Sequence, residues 1–343
     1  MKIIIDRRIP FVSGVFEPYA EVIYADGMTL GSNDVKDADC LIIRSRTKCD
    51  AGLLEGSSVK MIATATIGLG HIDLPYCKSR GIEVRNCAGC NAGGVMNYVF
   101  SALYGTASRK GIPLQGATFG IVGCGNVGSR VAMMARSLGF ETLICDPIRA
   151  EKEERDDFCS LSRLLEESDI VTLHVPLTDR TRGMADAYFF SKMKYGAFFI
   201  NTSHGDLVKE DDLISAKPKL GPIILDTWCH EPDINHTLLN LVDIGTPHIS
   251  GYSYQGKVIG TRDIVRQVAR FFGFKELFDF FPATDKDLEA VKINLQGLSQ
   301  GEITSVIQYN YPVFTDDFMF RMNPSGFVDL RTNYQYRREF YIE

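Results

Sequence analysis

Three glycines, Gly123, Gly125 and Gly128, are spaced G-x-G-x-x-G between an apolar run and a helical pattern, and this junction restricts the fold more than any other part of the chain. Residues 117–122 are apolar and predict a strand. The residues after the loop place Val127, Val131, Met134 and Leu138 on one face, which predicts a helix closed by Gly139. A second predicted strand, 142–145, ends in Asp146. Each part has a task in holding a dinucleotide. Gly123 permits a tight turn, Gly125 lets the backbone approach a pyrophosphate, and Gly128 lets the helix pack against the strand. The helix N-terminus then meets the phosphates with its partial positive charge. Asp146 lies 18 positions past the last glycine (146 − 128), where a carboxylate reaches the ribose hydroxyls. Glycine turns alone are common. Strand, loop, helix, strand and acid in this order predict a dinucleotide-binding unit.

The loop falls well inside a chain of 343 residues, so another unit precedes it. Residues 3–5, 21–24, 40–43, 61–64 and 83–85 read as strands, and 10–19, 51–54 and 74–79 as the helical stretches between them. Such alternation predicts a parallel sheet covered by helices. From 117 onward it repeats, with strands at 170–175, 197–201, 223–226 and 243–246 and helices at 161–167, 187–193 and 210–214. A doubly wound sheet binds its ligand beyond the carboxyl ends of its strands, so Asp146, His174, residues 202–204 and 226–231, and His248 are expected around one crevice. Helices at 91–108 and 257–272 are expected to join the units. The first would then be discontinuous, 1–91 with 250–279, and the dinucleotide unit would span 92–249. From 280 the pattern changes: 292–296 and 305–309 alternate in the strand manner, and 330–343 mixes aromatics with Arg331, Arg337 and Arg338. This reads as a small α+β appendage, serving either oligomerisation or as a cap on the first unit.

Composition removes other classes. A net charge of −6 speaks against a nucleic-acid partner. Nine cysteines, an odd number scattered through predicted strands and helices, fit reduced thiols in the cytoplasm rather than a disulfide framework. Cys87 and Cys90 have redox-pair spacing, but no thioredoxin-like helix start follows and no second pair completes a zinc site, so no metal is expected. The apolar start of the chain ends at Asp6, too short for a signal peptide, and no run is long enough to span a membrane.

A nicotinamide site that oxidises an alcohol needs a base, a group to tune that base, and a cation to hold the substrate. His248 follows the strand at 243–246 and Glu231 follows that at 223–226. A carboxylate against the imidazole would hold one tautomer and raise its pKa toward working pH. A lone histidine more often caps a segment; its place at a strand end in the expected crevice points to chemistry.

The segments Asn201-Thr-Ser-His-Gly-Asp-Leu-Val, Asp226-Thr-Trp-Cys-His-Glu-Pro and Thr246-Pro-His-Ile-Ser-Gly resemble the signature blocks of the D-2-hydroxyacid dehydrogenases. The likeness extends to 43–48, 63–68, 89–92, 244–252 and 329–339, nearly the whole chain, and points to the branch of the family acting on a phosphorylated four-carbon acid. It implies a Rossmann NAD domain inserted in a flavodoxin-like substrate domain, a C-terminal dimerisation domain and a homodimer. It also implies roles. His248 is the acid/base and Glu231 its partner. Gly123, Gly125, Asn126, Val127 and Gly128 hold the pyrophosphate, and Asp146 the ribose. Val175, Asp226 and Gly251 border the cofactor, while Arg44, Ser45, Thr66 and Tyr252 meet the substrate. Arg44 or Arg46 suits a phosphate, since a guanidinium donates two parallel bonds to it.

One position departs from the family pattern. The family has arginine before the glycine of its Asn-x-x-Arg-Gly block, to hold the substrate carboxylate and the reacting oxygen; this chain has His204. Imidazole makes no bidentate fork, so slow turnover is expected unless a carboxylate or the substrate keeps His204 protonated. Smaller departures are Ala88 for proline and Asn97 for glutamate. Two further readings stay open: a dehydrogenase of another D-2-hydroxy acid such as phosphoglycerate, and an NADH-binding interaction module without turnover. Asp146 favours NAD over NADP, although Arg149 lies three residues on.

Overall fold

The computed structural model describes residues 1–154, 157–284 and 289–343. The chain divides into two compact units, Met1–Asn91 with Tyr254–Glu289, and Ala92–Ser253 with Ala290–Glu343.

The first unit holds five parallel strands, β1 (Lys2–Asp6), β2 (Glu21–Ala25), β3 (Cys40–Ile43), β4 (Met61–Thr64) and β5 (Glu83–Asn86), in the order β2-β1-β3-β4-β5. Successive side chains of a strand point to opposite faces, and both faces here are covered, which is why the central strands read as unbroken apolar runs. Ile3, Ile5, Ile42 and Met61 pack with Ile264, Val265 and Val268 of the helix Tyr254–Phe272. Ile4, Leu41, Ile43 and Ile62 face the other way, toward Val35, Leu54 and Cys77. Residues 10–19, expected to be helical, form a series of turns instead. Phe11 (φ 61°) and Gly14 (φ 80°) adopt left-handed backbone, which no α-helix accommodates, yet Val12 and Phe16 still reach the core.

The second unit carries six parallel strands, β6 (Thr118–Val122), β7 (Glu141–Cys145), β8 (Ile170–Leu173), β9 (Phe198–Asn201), β10 (Ile223–Leu225) and β11 (Ile244–Gly245), in the order β11-β10-β9-β8-β6-β7. From β6 the chain passes first to β7 on one side and then to β8 on the other. That reversal is the switch point at which doubly wound sheets bind ligands. The helix Ala92–Lys110 has every residue from Ala92 to Ala107 buried, because its apolar positions pack both with the sheet residues Phe119 and Ile121 and with Ile307, Tyr311 and Phe340 of the C-terminal segment.

That segment folds as three helices, Gln300–Asn310, Val313–Met322 and Phe327–Thr332, and a two-stranded parallel sheet of β12 (Val291–Ile293) and β13 (Phe340–Ile342). Residues 305–309, expected as strand, lie inside the first of these helices. A capping box between Ser299 and Glu302 starts it, and Thr304 and Ile307, three positions apart, are buried together. Asn97 holds β13 from the long helix, its amide donating to Phe340 O at 2.8 Å and its carbonyl accepting from Phe340 N at 3.0 Å. No helix among the described residues is long and apolar enough to cross a membrane.

Candidate active site

Every strand of the six-stranded sheet ends at a residue marked by the sequence. Gly123 follows β6 in left-handed backbone (φ 91°), and its N–H bonds Cys145 O at 2.8 Å. A Cβ on Gly123 would lie 2.6 Å from His174 O and 2.7 Å from a methyl of Val175, and one on Gly128 would lie 2.0 Å from Gly123 O. Both positions exclude side chains because two backbones meet there. Gly125 is different: nothing stands within 4 Å of its would-be Cβ. Gly125 caps the helix Asn126–Ser137 without a side chain of its own, and Gly125 and Asn126 are exposed, so the first N–H groups of that helix open onto free space at the switch point. Val127 follows in the first turn.

Asp146, after β7, accepts from Cys124 N at 2.8 Å and from Arg149 N at 3.1 Å. The carboxylate is thereby drawn to the glycine loop while remaining half-buried. Arg149 is engaged elsewhere: it forks onto Glu153 at 2.6 and 2.8 Å and bonds Cys124 O. A carboxylate at the ribose position, with the neighbouring arginine turned to a glutamate, fits a cofactor lacking a 2′-phosphate. The open helix N-terminus and the side-chain-free loop fit its pyrophosphate.

The expected acid/base pair, Glu231 and His248, lies at the ends of β10 and β11. His248 Nδ1 stands 2.8 Å from Glu231 Oε2 and 3.1 Å from Oε1. A carboxylate only accepts, so Nδ1 carries the proton and Nε2 presents its lone pair; the ring remains 35% exposed, which leaves Nε2 reachable. Burial works to raise the Glu231 pKa, but the hydrogen bond to His248 and the attraction of that ring in its protonated form, the Trp228 N–H and the charge of Arg331 outweigh it and hold the carboxyl below its ordinary range. His248 sits in left-handed backbone (φ 56°), a conformation costly for a side-chain-bearing residue and concentrated at functional sites.

What holds that loop was not read from the sequence. Asp226 is buried, and its carboxylate accepts from Thr246 Oγ1 at 2.6 Å, Ile249 N at 2.8 Å and Ser250 N at 2.9 Å. Tyr98 OH joins Thr246 Oγ1 at 2.7 Å. Trp228 spans the two loops, its N–H donating to Glu231 at 3.0 Å and its indole to Thr246 O at 2.9 Å. Asp226 carries a sequence signal, an acid at a strand end. Tyr98 and Trp228 carry none, because their partners are distant in sequence. Gly251 and Tyr252 continue the loop, and the Tyr252 ring rests against Tyr334 and Tyr336.

His204 follows β9. Asn201 Nδ2 bonds its carbonyl at 2.9 Å, and a Cβ on the next residue, Gly205, would fall 1.9 Å from the Trp228 carbonyl carbon, so this loop packs directly on the one leading to Glu231. Burial lowers the His204 pKa and the nearby His248 lowers it further, against weaker pulls from Glu231 and Asp206. His204 is therefore neutral at pH 7.

The remaining marked residues lie in the first unit, at the carboxyl ends of neighbouring strands. Arg44 follows β3 and pairs with Asp6, the last residue of β1, at 3.1 Å; Ser45 beside it is exposed. Thr66 follows β4, its hydroxyl 2.7 Å from that of Thr64. Arg46 Nη1 lies 3.2 Å from Met28 Sδ. Among the described residues no group of three or more His, Cys, Asp or Glu side chains is placed to hold a metal ion.

The family profile for the NAD binding domain of D-isomer specific 2-hydroxyacid dehydrogenases matches residues 98–250. Erythronate-4-phosphate dehydrogenase of Bacteroides fragilis is 42% identical over 99% of this chain and 97% of its own length. The chain belongs to the D-2-hydroxyacid dehydrogenase family. Within it, erythronate-4-phosphate dehydrogenase of Escherichia coli is 38% identical, covering 99% of this chain and 92% of that one. Among solved structures, NAD-bound 3-phosphoglycerate dehydrogenase of Entamoeba histolytica superposes with a TM-score of 0.70 at 26% identity, covering 83% of this chain and 99% of that one. D-lactate dehydrogenase of Aquifex aeolicus, with NAD and lactic acid, gives 0.69 at 26% identity over 83% and 100%. This dehydrogenase uses NAD.

Proposed function

We propose that this dehydrogenase oxidises 4-phospho-D-erythronate at its C2 hydroxyl to (R)-3-hydroxy-2-oxo-4-phosphooxybutanoate, a step of pyridoxal phosphate synthesis. The observation that carries the chemistry is the His248–Glu231 pair at 2.8 Å, placed at strand ends in the unit that bears the glycine loop. The relatives named for erythronate-4-phosphate carry the substrate. NAD, when bound, accepts the hydride from C2. His248 Nε2 takes the hydroxyl proton, and Glu231, already ionised, stabilises the imidazolium that results. Gly123 to Gly128 hold the pyrophosphate, Asp146 the ribose, and Val175 and Gly251 the sides of the cofactor. Asp226 keeps the His248 loop in place. Arg44, Ser45, Thr66 and Tyr252 receive the substrate, Arg44 being the phosphate ligand in this reading.

The functional division follows: Met1–Asn91 with the helix Tyr254–Phe272 is the substrate-binding domain, 92–249 the NAD domain, and the C-terminal segment the dimerisation element of a homodimer. Nine free cysteines fit a reducing compartment, the cytoplasm.

The test is NADH absorbance with purified protein. Turnover of 4-phospho-D-erythronate, or of its 2-oxo acid in reverse, should exceed that of 3-phosphoglycerate and its 2-oxo acid by about 10-fold or more in kcat/KM, the scale of one mismatched contact. NADH binding without turnover of either pair in either direction would sink the reading and leave an NADH-binding module.

A further inference from the structure

If the substrate is an anionic hydroxy acid, as proposed above, the second unit must offer a positive charge near His248. The loops that carry the reactive pair offer none. His204 is neutral, Glu231 is ionised, and Asp226 is committed to the loop backbone. Arginines stand instead on the C-terminal segment. Two arginines of that segment are fully engaged. Arg321 binds Asp317 at 2.9 Å and two carbonyls, Leu239 O and Val242 O, at 2.6 and 2.9 Å. Arg337 binds Asp316 at 2.6 Å and Tyr334 OH at 2.8 Å. Arg331, on the helix Phe327–Thr332, has no hydrogen-bond or ion-pair partner among the described residues. Its guanidinium carbon lies 5.7 Å from the centre of the Tyr252 ring and 5.9 Å from that of Phe327, held by aromatic faces rather than by an acid. Its Nε–H is enclosed without an acceptor. An enclosed donor on a charged group is an uncommon thing to leave unpaired. Tyr252 belongs to the turn that follows His248, its N–H bonding Ile249 O at 2.8 Å.

We propose that Arg331 is the substrate-anion ligand of this unit, supplying from the C-terminal segment the guanidinium that residue 204 lacks. The fork geometry of Nε and Nη suits the paired oxygens of a carboxylate or a phosphate. The positive charge also reaches Glu231, where it favours the ionised carboxyl. The inference rests on the dehydrogenase reading, and its test is kept separate from turnover.

Calorimetric titrations use NADH-saturated protein with oxalate, which imitates the carboxylate end of a 2-oxo acid, and separately with inorganic phosphate. Arg331→Gln should weaken one of them by about 10- to 100-fold, the scale of a charged hydrogen bond, with unchanged NADH affinity. Arg331→Lys, which keeps the charge and the packing of the stem but not the fork, should fall between. Loss for oxalate assigns the carboxylate; loss for phosphate assigns the phosphate. Equal affinity of unmodified and Arg331→Lys or Arg331→Gln protein for both anions overturns the proposal, as does a loss matched by an equal loss in NADH affinity. If the unmodified protein turns over no hydroxy acid yet the anion affinity still depends on Arg331, the substrate reading fails while the anion site stands. In an active enzyme the same variants should raise KM far more than they lower kcat.

Discussion

At residue 204 one substitution alters charge, shape and hydrogen-bonding capacity together. An imidazole, where the family resemblance leads one to expect a guanidinium, cannot hold a carboxylate with two parallel bonds, and burial works against its charged form. His204→Arg should therefore raise kcat/KM for the 2-hydroxy acid about 10- to 100-fold, most of it in kcat, because the contact matures as charge develops on the reacting oxygen. Steady-state kinetics on both proteins check this. An unchanged or lower kcat/KM in a folded, NADH-binding variant shows that residue 204 does not limit the enzyme. Arg331→Gln should also cost less in the His204→Arg background than alone, if the two cations serve one anion. The pairing of His248 with Glu231 was legible, since each was placed by the sequence just past the end of one of two strands that lie side by side in the sheet. Arg331 was visible in the sequence only as one of three tail arginines. What sets it apart is the absence of an acid beside it, and pairing across 80 residues, from 252 to 331, leaves no local pattern.

Among elements, those buried on both faces were the readable ones. The central strands β1, β3 and β4 are almost wholly apolar, and the long helix at Ala92–Lys110 is buried from Ala92 to Ala107, because each face meets a layer. The misread stretches are those with one face packed. Residues 305–309 alternate in the strand manner yet form helix, since tertiary burial of Thr304 and Ile307 and the Ser299–Glu302 cap outweigh the β-branched composition. The same segment explains the proposed homodimer. Phe318, Met319 and Met322 share one face of the helix Val313–Met322 and are 60%, 50% and 68% exposed, while Tyr309 on the preceding helix is 89% exposed. Apolar side chains grouped this way mark an association surface more often than a solvated one. Phe318→Glu with Met322→Glu should convert a dimer to a monomer without lowering the melting temperature of the monomer fold, read by light scattering and thermal denaturation. A dimer that persists with unchanged affinity means the partner lies on another face.

For the whole molecule, the half-buried histidines impose a pH dependence of known sign. His174, at the end of β8 with Thr172 Oγ1 3.0 Å from its Nε2, is lowered by burial to about 3, and burial lowers His71 as well. An unfolded histidine takes a proton near pH 6.5, so below that pH the unfolded chain binds protons that the folded chain refuses, and stability falls as pH falls. The Glu231 carboxyl, held low, acts in the same direction but only below its own unfolded range. Asp316 and Asp317 act oppositely, because burial raises both above their ordinary values despite Arg337 and Arg321. Between pH 6.5 and 5, His174 alone should remove about 1.7 kcal/mol, less than the ~1.4 kcal/mol per pH unit of a full proton because the unfolded histidine is only half protonated at the start. His174→Gln retains a hydrogen-bonding amide toward Thr172 but no titrating group. Urea unfolding at both pH values should show the unmodified protein losing about 1.7 kcal/mol more than the variant does. Identical losses would mean that His174 opens to solvent well before the protein unfolds, and that the acid sensitivity belongs to His71, His204 and the carboxylates.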